Sequence, residues 1–373
     1  MTSTYLASPP PSRRVVTARR GLFSAEEYAA VAGFFAHRAS LLPTPLTSLP
    51  RLADALALGA VLAKDETARF GLNAFKLLGA RFAIEWLLRE GSVRAGDTLV
   101  CASEGNHGRA VAHTARAVGC AARVYLSESV AQPRADAIAS EGALVVRVQG
   151  TYDDAVRVAA AEAGEHGWTV ISDTSWPGYE HIPHLIMLGY SWMVDEMVRG
   201  MPQGWRPDAI FVPGGVGGLL AGVASRCAWL WPAPPRLVAV EPASAACLQA
   251  SARAGTPTLV SGPFDTVMGG LRCGEVSPLA FEAAAPLVDA YVGIDDAWSM
   301  AAMRRLARPA LPDPPIAAGA SGAAALGGLL AILEDPAARN LKDALALDAS
   351  SSVVVIVSEG MTDPHLWHRV MSA

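Results

Sequence analysis

Among 30 basic residues only three are lysines, Lys64, Lys76 and Lys342. Lys64 precedes Asp65-Glu66, and Lys342 lies in a polar stretch near the C-terminus. Lys76 alone stands among apolar residues, where Phe75, Leu78, Gly79, Phe82, Ala83 and Trp86 recur at helical spacing. Burial disfavours the charged form of an amine, so this setting predicts a lowered pKa. A neutral lysine can attack an aldehyde and form a Schiff base. Taken alone, the stretch equally suits an amphipathic helix whose lysine snorkels to solvent.

A second chemical element is Pro213-Gly214-Gly215-Val216-Gly217-Gly218-Leu219, placed between an apolar run and a helical pattern. Its glycines turn the backbone tightly and expose successive N–H groups at a helix N-terminus, which suits a phosphate. No Gly-Lys-Ser/Thr follows, and the third glycine of the dinucleotide fingerprint is missing. A strand-to-helix turn with no ligand is the alternative. The segment Ser103-Glu104-Gly105-Asn106-His107-Gly108 lies between another strand and helix, where open α/β sheets bind ligands. Its bland alternative is a helix cap by Asn106. Asp173, in Asp173-Thr174-Ser175-Trp176, and Ser358, before Glu359-Gly360, follow two further strands. A cap and a structural serine are their plain readings. The eight histidines show no metal-binding spacing, so no metal site is expected.

These groups need elements to hold them. Largely apolar runs at 59–64, 98–101, 122–126, 144–148, 169–172, 209–212, 237–240 and 353–357 read as strands. Helical patterns run between most of them, including 106–118, 133–141, 152–166 and a long one after His184. Val353–Val357 has five apolar residues without alternation, as in a strand covered on both faces. Strand–helix alternation on this scale predicts an α/β fold with mostly parallel sheets. Ser24-Ala25-Glu26-Glu27 forms a capping box that opens a helix to about Arg38. Pro43, Pro45 and Pro50 read as a loop. Residues 1–22, with three consecutive prolines and four arginines, read as a weakly ordered arm rather than a signal peptide.

Composition narrows the function classes. A chain of 373 residues, 51% hydrophobic and 17% charged, can bury a large core and leads us to expect two domains. A net charge of −5 without a basic patch beyond the N-terminal arginines argues against nucleic acid as partner. No apolar run reaches the ~18 residues of a membrane span. Five dispersed cysteines without Cys-x-x-Cys suggest reduced thiols in a cytoplasm.

Lysine, glycine cradle and Asn-bearing loop together are what pyridoxal phosphate requires: an imine partner, a phosphate site and a donor to its phenolic oxygen. The ordered motifs then become specific. Lys64-Asp65-Glu66 through Arg69-Phe70-Gly71-Leu72-Asn73-Ala74-Phe75-Lys76 resembles the signature of the diaminopropionate ammonia-lyase family, fold-type II enzymes similar to the tryptophan synthase β chain. Glu104-Gly105-Asn106-His107-Gly108-Arg109, Asp173-Thr174-x-Trp176-x-Gly178-Tyr179, Met268-x-Gly270-Leu271-x-Cys273-Gly274-Glu275, Ser321-Gly322 and Glu359-Gly360-x-Thr362-Asp363 match too, across most of the chain.

The resemblance implies that Lys76 binds pyridoxal 5'-phosphate and moves the Cα proton. It implies that Gly214, Gly215, Val216, Gly217, Gly218 and Leu219 hold the phosphate, that Asn106 bonds the phenolic oxygen and that Ser358 faces the pyridine nitrogen. Backbone groups from Ser103 through Gly105 to His107 would receive the carboxylate of a small amino acid. Asp173 would sit beside its β-amino group and favour the ammonium form. Glu104 stands where the family has an aspartate thought to take the Cα proton of the D-isomer. A misplacement of ~1 Å costs about a hundredfold in rate, so lowered D-isomer turnover is expected. Ala320 replaces a family glutamate, and Met361 an aspartate. The expected reaction is α,β-elimination of 2,3-diaminopropionate to pyruvate and ammonia. A serine or threonine dehydratase or a β-replacement enzyme, with a shifted substrate such as a biosynthetic one, is the neighbouring alternative. A binding protein that lost the chemistry is a more distant one. The resemblance also implies a homodimer, with a large cofactor-holding domain at 23–97 and 179–373 and a small α/β domain at 98–178.

Overall fold

Strand β11 (Ser352–Val357) is buried at every residue, and parallel partners flank it on both sides. Its unbroken apolar run suits that place, because both sheet faces are covered. In the computed structural model, which describes residues 2–8, 22–36, 38 and 41–372, a seven-stranded sheet has the order β1-β10-β9-β8-β11-β3-β2. Here β1 is Thr4–Ala7, β2 Leu46–Ser48, β3 Ala60–Asp65, β8 Ala209–Pro213, β9 Arg236–Pro242 and β10 Ala290–Ile294. The five inner strands run parallel, and β1 and β2 pair antiparallel at the two edges. A second, all-parallel sheet has the order β6-β5-β4-β7, with β4 Thr98–Ala102, β5 Ala121–Ser127, β6 Leu144–Val148 and β7 Thr169–Val170. The expected α/β fold with mostly parallel sheets is borne out.

Several local expectations need correction. Thr4–Ala7, expected in a weakly ordered arm, pairs with β10 in register Thr4↔Gly293 through Ala7↔Ala290. The rest of that arm, from residue 9 to 21, lies outside the described residues. The proline-rich stretch taken for a loop holds β2 and a helix, Pro50–Ala55, with proline in its first turn, where no N–H is needed. The strand expected over 169–172 ends at Val170, and the long helix begins at His181. The capping box is present: Glu27 N–H donates to Ser24 Oγ, and Ser24 N–H to the Glu27 carboxylate.

Two helices place the chemistry. The helix Leu77–Glu90 crosses the helix His181–Gly200 so closely that an ideal Cβ at Gly79 would lie 2.7 Å from the Ile186 carbonyl. One on Gly189 would lie 2.6 Å from the Leu78 carbonyl, so the crossing admits glycine on both sides. The helix Gly218–Leu230 packs on the same long helix, where a Cβ at Gly222 would lie 2.6 Å from the Met187 carbonyl. Residue 76 and the glycine turn are thereby fixed to one scaffold. No helix among the described residues is long and apolar enough to cross a membrane.

Candidate active site

A partly open cleft with a cavity volume of about 90 Å³ brings the sequence-predicted residues together. Lys76, Ser103 through His107, Asp173, Ser358 and the turn from Gly215 to Leu219 all line it. Lys76 sits at the entry of its helix, and the loop before it is stitched to the end of β11. Phe75 N–H donates to the Ser358 carbonyl at 3.1 Å, and Gly360 N–H to the Asn73 carbonyl at 2.8 Å. Asn73 holds a left-handed φ of 59° to make that turn.

Lys76 Nζ donates to Asp173 Oδ2 at 2.5 Å. The pKa expectation is overturned here. Burial pushes the Lys76 ammonium down, but the facing Asp173 carboxylate outweighs it, with help from Tyr190 and Cys273, and the pKa lies above the ordinary lysine value. Burial likewise pushes the Asp173 carboxyl up, yet Lys76 and His107 hold it well below the carboxylate range. Both groups are therefore charged at neutral pH. The alternative that Asp173 caps a helix fails, since the next helix is capped at Glu180. Asp173 rides on a braced segment. Trp176 and Tyr179 stack at 4.0 Å between ring centroids, and Tyr179 Oη donates to the Val170 carbonyl at 2.7 Å.

Asn106 is not a cap either. Gly105 holds the cap position with φ 143°, and Asn106 Nδ2 donates to Glu359 Oε2 at 2.5 Å. Ser103 Oγ accepts from the N–H groups of Gly105 and Gly108 at 2.9 and 2.8 Å, and Ser103 N–H donates to the Tyr125 carbonyl at 3.0 Å, so the expected offer of the Ser103 and Gly105 amides to a carboxylate is corrected: both are already engaged. His107 Nε2 lies 2.7 Å from the Ile171 carbonyl, and burial lowers the imidazole pKa. The Glu104 carboxylate is drawn to other groups, with Ser127 Oγ at 3.3 Å and Arg272 Nη2 at 3.2 Å.

At the far end, Gly217 takes φ 98° and the helix begins at Gly218. A Cβ on Gly215 would stand 3.2 Å from Cys273 Sγ. Gly214 departs from expectation: it does not line the cleft, because its N–H is spent on the Val240 carbonyl at 2.7 Å. The free amides start at residue 215. Sequence reasoning overlooked Tyr152, Arg134, Arg272 and the side chain of Glu359, all of which line the cleft. Tyr152 follows β6 and Glu359 follows β11, so the strand-end rule applied to every strand points to both. Among the described residues no cluster suits a metal ion.

The family model of pyridoxal-phosphate dependent enzymes matches residues 38–359. The diaminopropionate ammonia-lyase of Escherichia coli (strain K12) is 36% identical over 368 residues, 94% of this chain and 92% of the relative. That of Salmonella typhimurium (strain LT2) is 34% identical, over 88% of this chain and 87% of the relative. The chain belongs to the pyridoxal-phosphate dependent enzymes, in their diaminopropionate ammonia-lyase branch. The crystal structure of the Escherichia coli enzyme with an aminoacrylate-PLP azomethine reaction intermediate superposes with a TM-score of 0.89. It is 34% identical and covers 100% of this chain and 97% of that one. The two-sheet architecture is thus the fold-type II arrangement of this family.

The residues present fit the family's cofactor. One cleft joins a lysine, a glycine turn in which Gly217 takes a left-handed φ of 98° and Gly215 lies close against Cys273, and an amide-bearing side chain. The helix N-terminus behind the turn supplies positive potential for a phosphate.

Proposed function

We propose that this enzyme removes ammonia from 2,3-diaminopropionate: with one water, the substrate yields pyruvate and two ammonia molecules. The observation that carries this reading is the Lys76–Asp173 pair inside the cleft. Pyridoxal phosphate, when bound, supplies the electron sink for the charge left at Cα. The chain does the rest. Amides from Gly215 to Leu219 hold the phosphate, Asn106 meets the phenolic oxygen, and Ser358 meets the pyridine nitrogen. The amides of the 104–107 loop that are not spent inside the protein orient the substrate carboxylate. Lys76, once its amine is neutral, takes the Cα proton of the L-isomer. Asp173 keeps the β-amine as ammonium, and an amine leaves readily only in that form.

Glu104 is the group placed to serve the D-isomer, but Arg272 and Ser127 engage its carboxylate, which favours turnover of the L-isomer. We place a small domain at 98–178 and a large one at 23–97 and 179–373, with the cleft between them. The working form is a homodimer in the cytoplasm, in keeping with five free cysteines. Light scattering tests the dimer. The function is tested by presenting the purified protein with both isomers of 2,3-diaminopropionate, and with serine and threonine, and following 2-oxo acid. Fastest turnover of L-2,3-diaminopropionate is expected; a clear preference for serine or threonine makes the chain a dehydratase instead.

A further inference from the structure

His107 carries a buried polar atom that the reading above leaves unused. Its side chain is 6% exposed and lines the cleft. Nε2 faces the Ile171 carbonyl, which only accepts, so Nε2 carries the proton. Nδ1 is then a bare acceptor. It has no hydrogen-bond partner among the described residues, and the Asp173 Oδ2 atom stands 4.0 Å from it. A buried acceptor without a donor costs free energy, so it calls for a donor in the ligand. Burial, the dominant influence on its pKa, keeps the imidazole neutral and Nδ1 open.

Two acceptors 4.0 Å apart make a demand that one alone does not. An atom about 2.8 Å from both would have to donate along two directions roughly at a right angle. An ammonium has three N–H bonds and can do so. A hydroxyl has one O–H and satisfies a single acceptor. Lys76 shows that an ammonium fits against Asp173, but it does not reach His107.

We infer that His107 Nδ1 and Asp173 together grip the substrate's β-ammonium, which makes His107 a specificity-determining residue that selects an amino over a hydroxyl leaving group. The inference rests on the proposed ammonia-lyase reading. Two substitutions separate the two ring nitrogens. His107→Gln places an amide donor where Nε2 was, keeping the Ile171 contact while removing the second acceptor. His107→Asn places its carbonyl oxygen where Nδ1 was and gives up the Ile171 contact.

For His107→Gln, kcat/KM on L-2,3-diaminopropionate should fall about tenfold or more, the loss of one hydrogen bond to a charged group, and several-fold further than kcat/KM on L-serine falls. His107→Asn should retain the ratio between the two substrates better than His107→Gln. Cofactor loading, read from visible absorbance, reports whether each variant is folded. Equal losses on both substrates in His107→Gln, or a ratio that survives in Gln and collapses in Asn, would overturn the inference. Should the unmutated protein show no turnover of 2,3-diaminopropionate, the ammonia-lyase reading itself fails, a result distinct from either variant outcome.

Discussion

One lysine of this molecule is buried and another half-buried, and they are treated in opposite ways. Lys64 is wholly enclosed and saturated: its Nζ meets Glu196 Oε2 at 2.6 Å, the Thr44 hydroxyl at 2.6 Å and the Thr44 carbonyl at 2.8 Å. Arg69 completes the cluster, bonding Glu66 and Glu196 at 2.6 Å each. Two cations face two carboxylates, all out of water, and the Glu66 carboxyl is held well below its usual range by Arg69 and Lys64 against the push of burial. Lys76 has one carboxylate partner and a side chain 20% exposed to an open cleft. A network with every valence filled has nothing left to give a ligand; a single pair at a cleft wall can exchange its partner. Saturation, more than burial, separates the structural lysine from the reactive one.

The sharpest break of that contrast is to remove each lysine. Lys76→Ala should abolish turnover, by at least the roughly 10²–10⁴-fold that a positioned base contributes, with the denaturation midpoint nearly unchanged. Lys64→Met should do the reverse. It leaves two buried carboxylates against one arginine and should cost about 3–5 kcal/mol of stability, the range for breaking a buried pair, while folded molecules keep their kcat. Urea titration and kinetics on both variants check this. Loss of the cofactor's visible absorbance in a still-folded Lys64→Met would mean that the cluster takes part in the site.

Asp173→Asn is next in size. It removes the charge that holds Lys76 protonated and leaves burial to dominate. Turnover of L-2,3-diaminopropionate should drop about 10–100-fold, as expected for losing a hydrogen bond to a charged group, and turnover of serine should drop less. The amine becomes reactive when it loses its proton, and its pKa falls in this variant. The rate of cofactor uptake should therefore rise at lower pH than in the parent. A midpoint that moves upward or stays fixed would show that Asp173 does not control the protonation of Lys76.

Much of this was legible beforehand because the motifs sit where strands end. Lys76, Asp173 and the Asn106 loop were marked by type and by place along the chain, and the parallel strands followed from unbroken apolar runs. What escaped reading depended on contacts distant in sequence. The sign of the Lys76 shift is set by a residue 97 positions away, and apolar neighbours along the chain carry no trace of it. The saturation of Lys64 needs Glu196, 132 positions on. Thr4–Ala7 is too short to stand out and becomes a strand only because the edge of β10 offers its hydrogen bonds. Gly214 shares its type with the other glycines of the turn, and only the position of the Val240 carbonyl shows that its N–H is taken.

The smallest predicted effect concerns the opposite wall of the cleft, where Glu104 is engaged by Arg272 and Ser127 much as Glu66 is by its cations, though less fully. A carboxylate held by a guanidinium is already engaged and is not free to reach a substrate proton. Shortening the side chain by one methylene in Glu104→Asp should withdraw it from Arg272 and free it to turn toward the substrate. Turnover of D-2,3-diaminopropionate should then rise a few-fold relative to the L-isomer, the fraction of the hundredfold penalty for a misplaced group that one bond length recovers. Arg272→Ala should shift the isomer ratio the same way without changing the carboxylate's reach. If Glu104→Asp raises the ratio and Arg272→Ala does not, length alone matters and the ion pair is incidental. If neither moves it, Glu104 takes no part in handling the D-isomer, and the analogy with the saturated Lys64 cluster extends to that wall of the cleft.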